Sequence, residues 1–259
     1  MSVALSLEGK VALITGGSRG IGAAAVRMFV QAGARVAFNY QKAEAEAQKI
    51  VRECGAEKCA AIKCNLEGTE TAERLIQDTV KRFGRLDILV ANHGIWPPED
   101  TGVDALTDEQ WRRTVAVNLD SVFALLKHSV GQMKKTASAG SPARIVLVSS
   151  TAGQRGEAFH VDYAATKGAI ISMVKGLSTE LAARNIYVNC VAPGWVDTDM
   201  SKAALQDAKV APGILAKIPL GRVGTPEELA APILFLCTPH AGFITGEVLN
   251  VNGGAVLVG

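Results

Sequence analysis

The sequence has little net charge, no long apolar run and no internal repeat or low-complexity tract. Its 259 residues carry a formal net charge of +2, which gives no sign of a nucleic-acid partner. No apolar stretch approaches the roughly 18 residues that a bilayer span requires, and no signal-peptide pattern precedes the first apolar segment. We therefore expect neither nucleic-acid binding nor membrane insertion, and a chain long enough for one domain with a sizeable core.

Cysteine is also scarce. The five cysteines are an odd number, which points to a reducing, cytoplasmic compartment. Cys54, Cys59 and Cys64 are evenly spaced, which raises the alternative of a metal site. However, Cys59 and Cys64 flank a short strand pattern, CAAIKC, and no fourth ligand lies near them in the sequence. We therefore expect small, buried or half-buried thiols and no bound metal.

Strand and helix patterns alternate along the chain. The strand patterns fall at Val11–Thr15, Arg35–Asn39, Lys58–Lys63, Leu86–Ala91, Arg144–Ser149, Tyr187–Ala192 and Glu247–Val251. Several are continuously apolar, as in ILVA and IVLV, which is expected when helices cover both faces of a sheet. The sequence therefore predicts an α/β fold with one doubly wound parallel sheet and right-handed crossovers. In such folds, ligands bind at the carboxyl ends of the strands.

A glycine-rich turn follows the first strand pattern. The segment GGSRGIG begins at Gly16, and an amphipathic helix pattern follows it. Gly16, Gly20 and Gly22 allow a tight turn and a close approach of the backbone to a pyrophosphate at a helix N-terminus. The spacing differs from the usual G-x-G-x-x-G fingerprint, and an ordinary β–α turn is the alternative. The position between a strand and a helix favours a dinucleotide site.

Tyr163 and Lys167 lie four residues apart in YAATK, and Ser150 lies thirteen residues before the tyrosine. Residues four apart share a helix face, so the ammonium is expected to lower the phenol's pKa from about 10. A phenol tuned in this way exchanges a proton with an alkoxide or alcohol. Ser150, or its neighbour Ser149 on the opposite face of the strand, would hold the same oxygen. The chemistry indicated is carbonyl–alcohol interconversion, which needs a hydride donor.

These features occur with others that together resemble the short-chain dehydrogenase/reductase family. The resembling segments are TGGSRGIG, NHG at Asn92–Gly94, Asn118 in VNLDS, Ser150, YAATK and PGWVDT at Pro193–Thr198. They run in order over nearly the whole chain. Within the family, the chain looks most like the 3-oxoacyl-[acyl-carrier-protein] reductases, on the segments NYQKAEAEA, IPLGRVGTPEE and VNGG. Many sugar, polyol and steroid reductases share these segments.

The resemblance implies a single domain over residues 1–259, the strand order 3-2-1-4-5-6-7 and two sets of site residues. The implied catalytic residues are Asn118, Ser150, Tyr163 and Lys167. The implied cofactor-binding residues are Gly16, Ser18, Arg19, Gly20, Ile21, Gly22, Asn39, Tyr40, Asn65, Leu66, Asn92, Gly94, Tyr163, Lys167, Pro193, Gly194, Val196 and Thr198. The family spacing selects Ser150 over Ser149. In the family, the residue matching Asn118 bends its helix and holds a water that relays protons to the lysine; the alternative is a helix-interior asparagine facing solvent.

Charge near the glycine turn favours NADP(H) over NAD(H). An NAD site usually has an acid about twenty residues past the turn, to bind the ribose 2′-hydroxyl. The second strand instead ends in Asn39, Tyr40, Gln41 and Lys42, with no acid. Arg19, inside the turn, can fork onto a 2′-phosphate. Lys42 is a second candidate partner for that phosphate, and a solvent-facing Arg19 is the alternative.

Two positions depart from the family pattern, and the role of one further histidine is left open. Asn65 stands where an aspartate usually contacts the adenine amine, and its amide oxygen can still accept that bond. His93 stands where the family has alanine. We expect it to fill space, with a catalytic role as the alternative. His160 lines either the substrate pocket or an interface.

The substrate pocket is expected to be partly aromatic. The residues expected to line it are Trp96, Pro97, Pro98, Gln154, Arg155, Gly156 and Trp195. A lid at about 196–219 is expected to cover it. We expect Pro212–Gly213 to break the helical stretches of this lid. The resembling reductases dock acyl carrier protein on basic residues. Arg184 matches one such position, and Lys134 and Lys135 lie just before the other. The expected function is NADPH-dependent reduction of a carbonyl, with a 3-oxoacyl thioester on acyl carrier protein as one substrate. The alternatives are a sugar, polyol or xenobiotic ketone oxidoreductase and a non-catalytic nucleotide sensor.

We also expect a homotetramer. The helical segments around Asp108–Lys135 and Asp162–Arg184 are poor in charge on the faces turned away from the sheet. The residues that make these faces apolar or small are Val117, Val122, Phe123, Leu126, Ser129 and Val130 in the first segment, and Ala164, Ala165, Ala169, Ile171, Ser172, Val174 and Leu177 in the second. A helix that is apolar on more than one side is buried on more than one side. In the resembling family these helices pair across a two-fold axis, and the apolar ending VLNVNGGAVLVG makes a second interface.

Overall fold

The computed structural model describes residues 4–258 and contains one seven-stranded sheet at its centre. The strands are β1 Val11–Ile14, β2 Arg35–Tyr40, β3 Cys59–Lys63, β4 Ile88–Ala91, β5 Ala143–Val148, β6 Ile186–Pro193 and β7 Val248–Val251. All neighbouring strands are parallel, in the order 3-2-1-4-5-6-7. The predicted fold class and strand order are confirmed, and the predicted strand bounds agree to within two residues.

Helices cover both faces of the sheet. They are α1 Gly20–Gln31, α2 Glu44–Cys54, α3 Thr69–Phe83, α4 Asp108–Val115, α5 Ser121–Met133, α6 Thr151–Arg155, α7 Val161–Leu181, α8 Lys202–Gln206, α9 Ala211–Leu215 and α10 Pro226–Cys237. A single π-helical turn, Ala116–Asp120, separates α4 from α5. Short 3₁₀ turns follow α7 at Ala182–Arg184 and α10 at Pro239–Ala241.

The strand period of two divides the core into two layers. Ala12 and Ile14 of β1 join a cluster with α1, α2 and α10 on one face. Val11 and Leu13 join a second cluster with α3, α5 and α7 on the other face. This two-sided burial explains why the strands read as continuously apolar. The sheet is thereby fixed from both sides, and the loops at the carboxyl ends of its strands are left to form the site.

The segment after β6 differs from expectation in one detail. We expected Pro212–Gly213 to break its helical stretches, but both residues lie within α9. The break falls before it, between α8 and α9. The first N–H groups of a helix have no hydrogen-bond partner within that helix. A proline, which has no N–H, is therefore tolerated in the first turn, where Pro212 lies. The assignment of residues 196–219 as a lid stays a prediction.

The described residues contain no helix that is both long and apolar enough to cross a bilayer. All five cysteines are free thiols. Cys59, Cys190 and Cys237 are buried, whereas Cys54 and Cys64 are half-buried.

Candidate active site

The glycine turn between β1 and α1 is shaped by close backbone contacts. Gly16 has a φ of +65°, a conformation that side chains disfavour. A Cβ at Gly22 would lie 2.1 Å from the Gly16 carbonyl oxygen, so no larger residue fits there. Arg19 occupies the N-cap position of α1, and its side chain makes no capping hydrogen bond. The first amides of α1 therefore remain as donors beside the turn, an arrangement that fits a pyrophosphate.

Asn39 and Asn92 hold this turn in place. The Asn39 side chain accepts a bond from the Gly16 amide at 2.9 Å and donates to the Cys64 carbonyl at 3.0 Å. The Asn92 side chain donates to the carbonyl of Thr15 at 3.0 Å. These bonds use one N–H and one lone pair of the Asn39 amide, so Asn39 positions the turn and keeps a second donor and acceptor. Its direct contact with a cofactor stays a prediction.

A cleft of about 440 Å³ runs along the carboxyl ends of the strands. Of the residues predicted to bind the cofactor, all line this cleft except Gly22, which packs against Gly16 instead. Ser150 also lines it, whereas Asn118 lies behind the wall with none of its surface exposed. The cleft, the glycine turn and the free amides of α1 together fit a dinucleotide.

Ser150 and Tyr163 meet at one end of the cleft. Ser150 follows β5, and its hydroxyl accepts a bond from the Ala152 amide at 3.1 Å. It also lies close enough to the Tyr163 phenol to lower the phenol's pKa. Ser149 instead donates its hydroxyl to the carbonyl of Lys167 at 2.8 Å. Adjacent strand residues face opposite ways, so Ser150 rather than Ser149 is the serine beside the phenol.

Burial controls the protonation of this pair. Burial raises the pKa of Tyr163 to about 12, against a smaller lowering by the Ser150 hydroxyl. It lowers the pKa of Lys167 to about 8. The Lys167 ammonium donates to the Val148 carbonyl at 2.9 Å and lies 5.7 Å from the centre of the Tyr163 ring. The sequence-based expectation of a phenol pKa lowered by Lys167 is therefore wrong, because burial, with a smaller contribution from the Glu157 charge, raises it. The Tyr163 phenol is therefore protonated at neutral pH.

The π-helical turn places Asn118 against the loop after β4. Its amide donates to the Ile95 carbonyl at 2.9 Å, and its side-chain oxygen accepts from the Ile95 amide at 2.8 Å. A Cβ at Gly94 would lie 3.1 Å from that oxygen and 3.4 Å from the Lys167 ammonium. Asn118 is fully buried, so the alternative of a solvent-facing asparagine is wrong.

His93 does more than fill space. Its ring bonds to the hydroxyls of Thr15 and Ser121, each at 2.7 Å. Ser121 donates its only hydroxyl proton to the Val117 carbonyl at 2.6 Å, so the Nε2 of His93 carries a proton and donates to Ser121. In the neutral imidazole, Nδ1 accepts a bond from the Thr15 hydroxyl. Burial, and then the charge of Lys167, lower the pKa of His93 to about 3. A neutral histidine thus links β1, the loop after β4 and the start of α5.

The substrate end of the cleft is aromatic, with charged residues beside it. The predicted residues Trp96, Arg155 and Trp195 line it, together with Arg113, Glu157 and Met200, which the sequence analysis did not single out. The predicted residues Pro97, Pro98, Gln154 and Gly156 do not line it. Gln154 is instead bonded to Asn250. Burial raises the pKa of the Glu157 carboxyl, against smaller lowering by His160, Arg155 and the Trp96 indole.

His160 supports this aromatic wall from behind. Its side chain is buried, its Nε2 donates to the Pro97 carbonyl at 2.9 Å, and its ring stacks on Trp96 with centroids 4.7 Å apart. Trp96 in turn meets Trp195 edge-on at 6.0 Å. His160 therefore holds an indole of the pocket in place and does not itself line the cleft.

The sequence analysis also missed Asp162. Its carboxylate accepts bonds from the Tyr163 amide at 2.9 Å and from the Thr114 hydroxyl at 2.8 Å, and none of its surface is exposed. It joins the start of α7 to α4 and fixes the backbone that carries the phenol. An aspartate in the first turn of a helix is a recognised start signal, so the sequence offered a clue to this role.

Comparisons with known proteins agree with this geometry. A family model described as Enoyl-(Acyl carrier protein) reductase matches residues 16–256. The chain is 38% identical over 255 residues to the 3-oxoacyl-[acyl-carrier-protein] reductase of Vibrio cholerae, which covers 98% of this chain and 100% of that relative.

Two solved structures from Brucella melitensis have the same fold. One is a short-chain dehydrogenase/reductase of the glucose/ribitol dehydrogenase type, with a TM-score of 0.90 and 33% identity over 99% of this chain and 100% of that one. The other is a 3-ketoacyl-(acyl-carrier-protein) reductase complexed with NADH, with a TM-score of 0.89 and 31% identity over 97% of this chain and 100% of that one.

Proposed function

Because this chain belongs to the short-chain dehydrogenase/reductase family, we propose that it reduces the ketone of a 3-oxoacyl thioester on acyl carrier protein, with NADPH as the reductant. The coarser statement is established: the chain is an oxidoreductase that interconverts a carbonyl and an alcohol with a nicotinamide cofactor. The observation that carries the proposal is the meeting of Ser150, a protonated Tyr163 and Lys167 at one end of the dinucleotide cleft.

The proposed chemistry needs one proton from the protein. A bound nicotinamide supplies the hydride. Tyr163 gives its proton to the oxygen of the ketone as negative charge develops there, and Ser150 donates a second hydrogen bond to the same oxygen. The Lys167 ammonium then favours the phenolate that remains. Asn118 holds the loop at Ile95 that forms the wall beside Lys167.

The preference for NADPH rests on charge at the other end of the cleft. Arg19 and Lys42 both line it, and β2 ends without a carboxylate. Asn65 donates to Glu67 at 3.0 Å, which leaves its side-chain oxygen to accept a bond from the adenine amine. One similar enzyme is complexed with NADH, so we propose the preference from this chain's own residues.

A polyol or sugar oxidoreductase is the second candidate. Arg113, Arg155 and Glu157 give the substrate end of the cleft hydrogen-bonding groups that hydroxylated substrates use, and the glucose/ribitol dehydrogenase of Brucella has the same fold. Arg184, Lys134 and Lys135, all exposed, support docking of an acidic carrier instead. A nucleotide sensor without turnover is disfavoured, because a sensor has no need of the assembled Ser150, Tyr163 and Lys167 cluster.

One experiment separates the three candidates. The oxidation of NADPH is followed with acetoacetyl thioesters, free ketones and sugars, each at matched concentration. The proposal expects the thioesters to give the highest kcat/KM, and acyl carrier protein to improve it further. A preference for sugars or polyols would move the assignment to the second candidate. No oxidation with any substrate, in a protein that binds NADPH, would favour the sensor.

We also propose a homotetramer in the cytoplasm, with residues 196–219 as a lid. Fewer residues support assembly than the sequence indicated. Five residues of the expected outward faces are buried within the chain itself, namely Val117, Val122, Leu126, Ser129 and Val174. Phe123 on α5 remains 55% exposed. On α7, exposed or half-exposed small residues form an open face from Val161 to Ser172. Leu257 is 87% exposed and supports a second interface at the C-terminal segment.

A further inference from the structure

An ion pair joins the glycine turn to the segment after β6. The Nη1 atom of Arg19 lies 3.0 Å from the Oδ2 atom of Asp199, a residue 180 positions further along the chain. Both side chains are largely exposed, at 60% and 64%. Among residues 4–258, this is the one ion pair that Arg19 makes. The guanidinium that the proposed function assigns to the 2′-phosphate is therefore already held by a carboxylate.

The backbone holds Asp199 at this position. The Ser201 amide donates to the Thr198 carbonyl at 3.2 Å. The buried Ser201 hydroxyl donates to the Val196 carbonyl and accepts a bond from the Thr198 amide at 3.2 Å. Thr198 in turn packs on the glycine turn, where its methyl group lies 3.1 Å from the position of a Cβ at Gly20. Asp199 is thus carried by a closed turn that touches the glycine turn, rather than by a free loop.

Arg19 and Asp199 line the same cleft as Lys42. A 2′-phosphate bound to Arg19 would bring nearly two negative charges towards the guanidinium that Asp199 holds. Two anions then compete for one cation, and their mutual repulsion opposes binding. NADH carries no such phosphate, so it can bind without disturbing the pair.

The relative strengths of the two contacts decide the outcome. An exposed pair of single charges is weak, because water and salt screen it and both side chains lose freedom. A charge-assisted bond from arginine to a phosphate dianion is stronger. The phosphate therefore displaces Asp199, but the affinity for NADPH is reduced by the strength of the pair that is broken. An exposed pair of this kind corresponds to about a two- to fivefold reduction.

We propose that Asp199 is a specificity-determining residue that competes with the 2′-phosphate of the cofactor for Arg19 and so limits the preference for NADPH over NADH. This inference rests on the proposed NADPH preference. It assigns to Asp199 a role in cofactor selectivity and none in the proton transfer.

The test is a set of dissociation constants for NADPH and NADH, measured by the change in protein fluorescence without substrate. Asp199→Asn keeps the shape of the side chain and removes its charge. It is expected to tighten NADPH about two- to fivefold and to leave NADH unchanged. In an Arg19→Ala background the same substitution is expected to have no effect on either cofactor, because the contested cation is absent.

Asp197→Asn is the matched control, because Asp197 is an exposed carboxylate two residues away that makes no ion pair within residues 4–258 and lies outside the cofactor cleft. It is expected to leave both dissociation constants unchanged. The inference is overturned if Asp199→Asn does not tighten NADPH, or if it does so equally in the Arg19→Ala background or no more than Asp197→Asn does. If Arg19→Ala does not alter the ratio of NADPH affinity to NADH affinity, the proposed cofactor preference itself is refuted.

Discussion

The protonation of Lys167 is predicted to set an upper pH limit on catalysis. The ammonium is buried, donates to the Val148 carbonyl and lies beside the Tyr163 ring. Its charge favours the phenolate that proton transfer leaves behind. Burial lowers the pKa of Lys167 from an ordinary value of 10.5 to about 8. The charged form is therefore present below pH 8 and is lost as the pH rises through that value.

The size of the effect follows from this pKa of about 8. About nine-tenths of the enzyme carries the charge one pH unit below the pKa, and about one-hundredth carries it two units above. We therefore expect kcat/KM for ketone reduction to fall about tenfold per pH unit at high pH. Tyr163, whose pKa is raised to about 12, keeps its proton over this range and does not contribute to the fall.

The assay is initial-rate oxidation of NADPH with one ketone from about pH 6 to pH 10, with folding checked by circular dichroism at each pH. Lys167→Arg is the matched variant, because arginine keeps its charge over the whole range. Its residual activity should show no high-pH limb. The reasoning is refuted if the wild-type profile stays flat to the end of the range, or if the limb persists unchanged in Lys167→Arg.

Three further predictions concern residues around the site and the assembly. His93→Ala removes the bonds to Thr15 and Ser121 and should lower the free energy of unfolding by about 1–3 kcal/mol in urea titrations, whereas His240→Ala at an exposed position should have little effect. Ser150→Ala should lower kcat by about tenfold or more and leave the NADPH dissociation constant unchanged; equal effects on both would contradict its proposed role. Phe123→Asp should shift sedimentation equilibrium from a tetramer to smaller species, and a wild-type mass of one chain would refute the assembly.

Much of the fold could be predicted because its signals are local. The apolar strand patterns alternate with amphipathic helices, and two-sided burial leaves that pattern in any parallel sheet. The order of the strands came from resemblance, since local patterns do not specify which strands are neighbours. The helices after β6 were misjudged at Pro212, because a proline stops a helix in its interior but is tolerated in its first turn.

Which residues line the cleft was largely predictable from the sequence, but their pKa values and long-range contacts were not. Tyr163 and Lys167 share one helix, so their proximity follows from spacing alone. The pKa of the phenol depends on desolvation by the whole fold, which the spacing does not reveal. The partners of His93 lie 78 and 28 residues away along the chain, so no local pattern could identify them. The Arg19–Asp199 pair was hidden for the same reason.

The central claim is that Tyr163 supplies the proton for carbonyl reduction with NADPH, and one measurement tests it most directly. Single-turnover oxidation of NADPH by acetoacetyl thioester is compared between the wild type and Tyr163→Phe, with the NADPH dissociation constant measured in both. We predict a loss of about 10²–10⁴ in rate with the dissociation constant nearly unchanged, because the variant removes the proton donor and almost no volume. A rate within a few fold of the wild type would contradict the account.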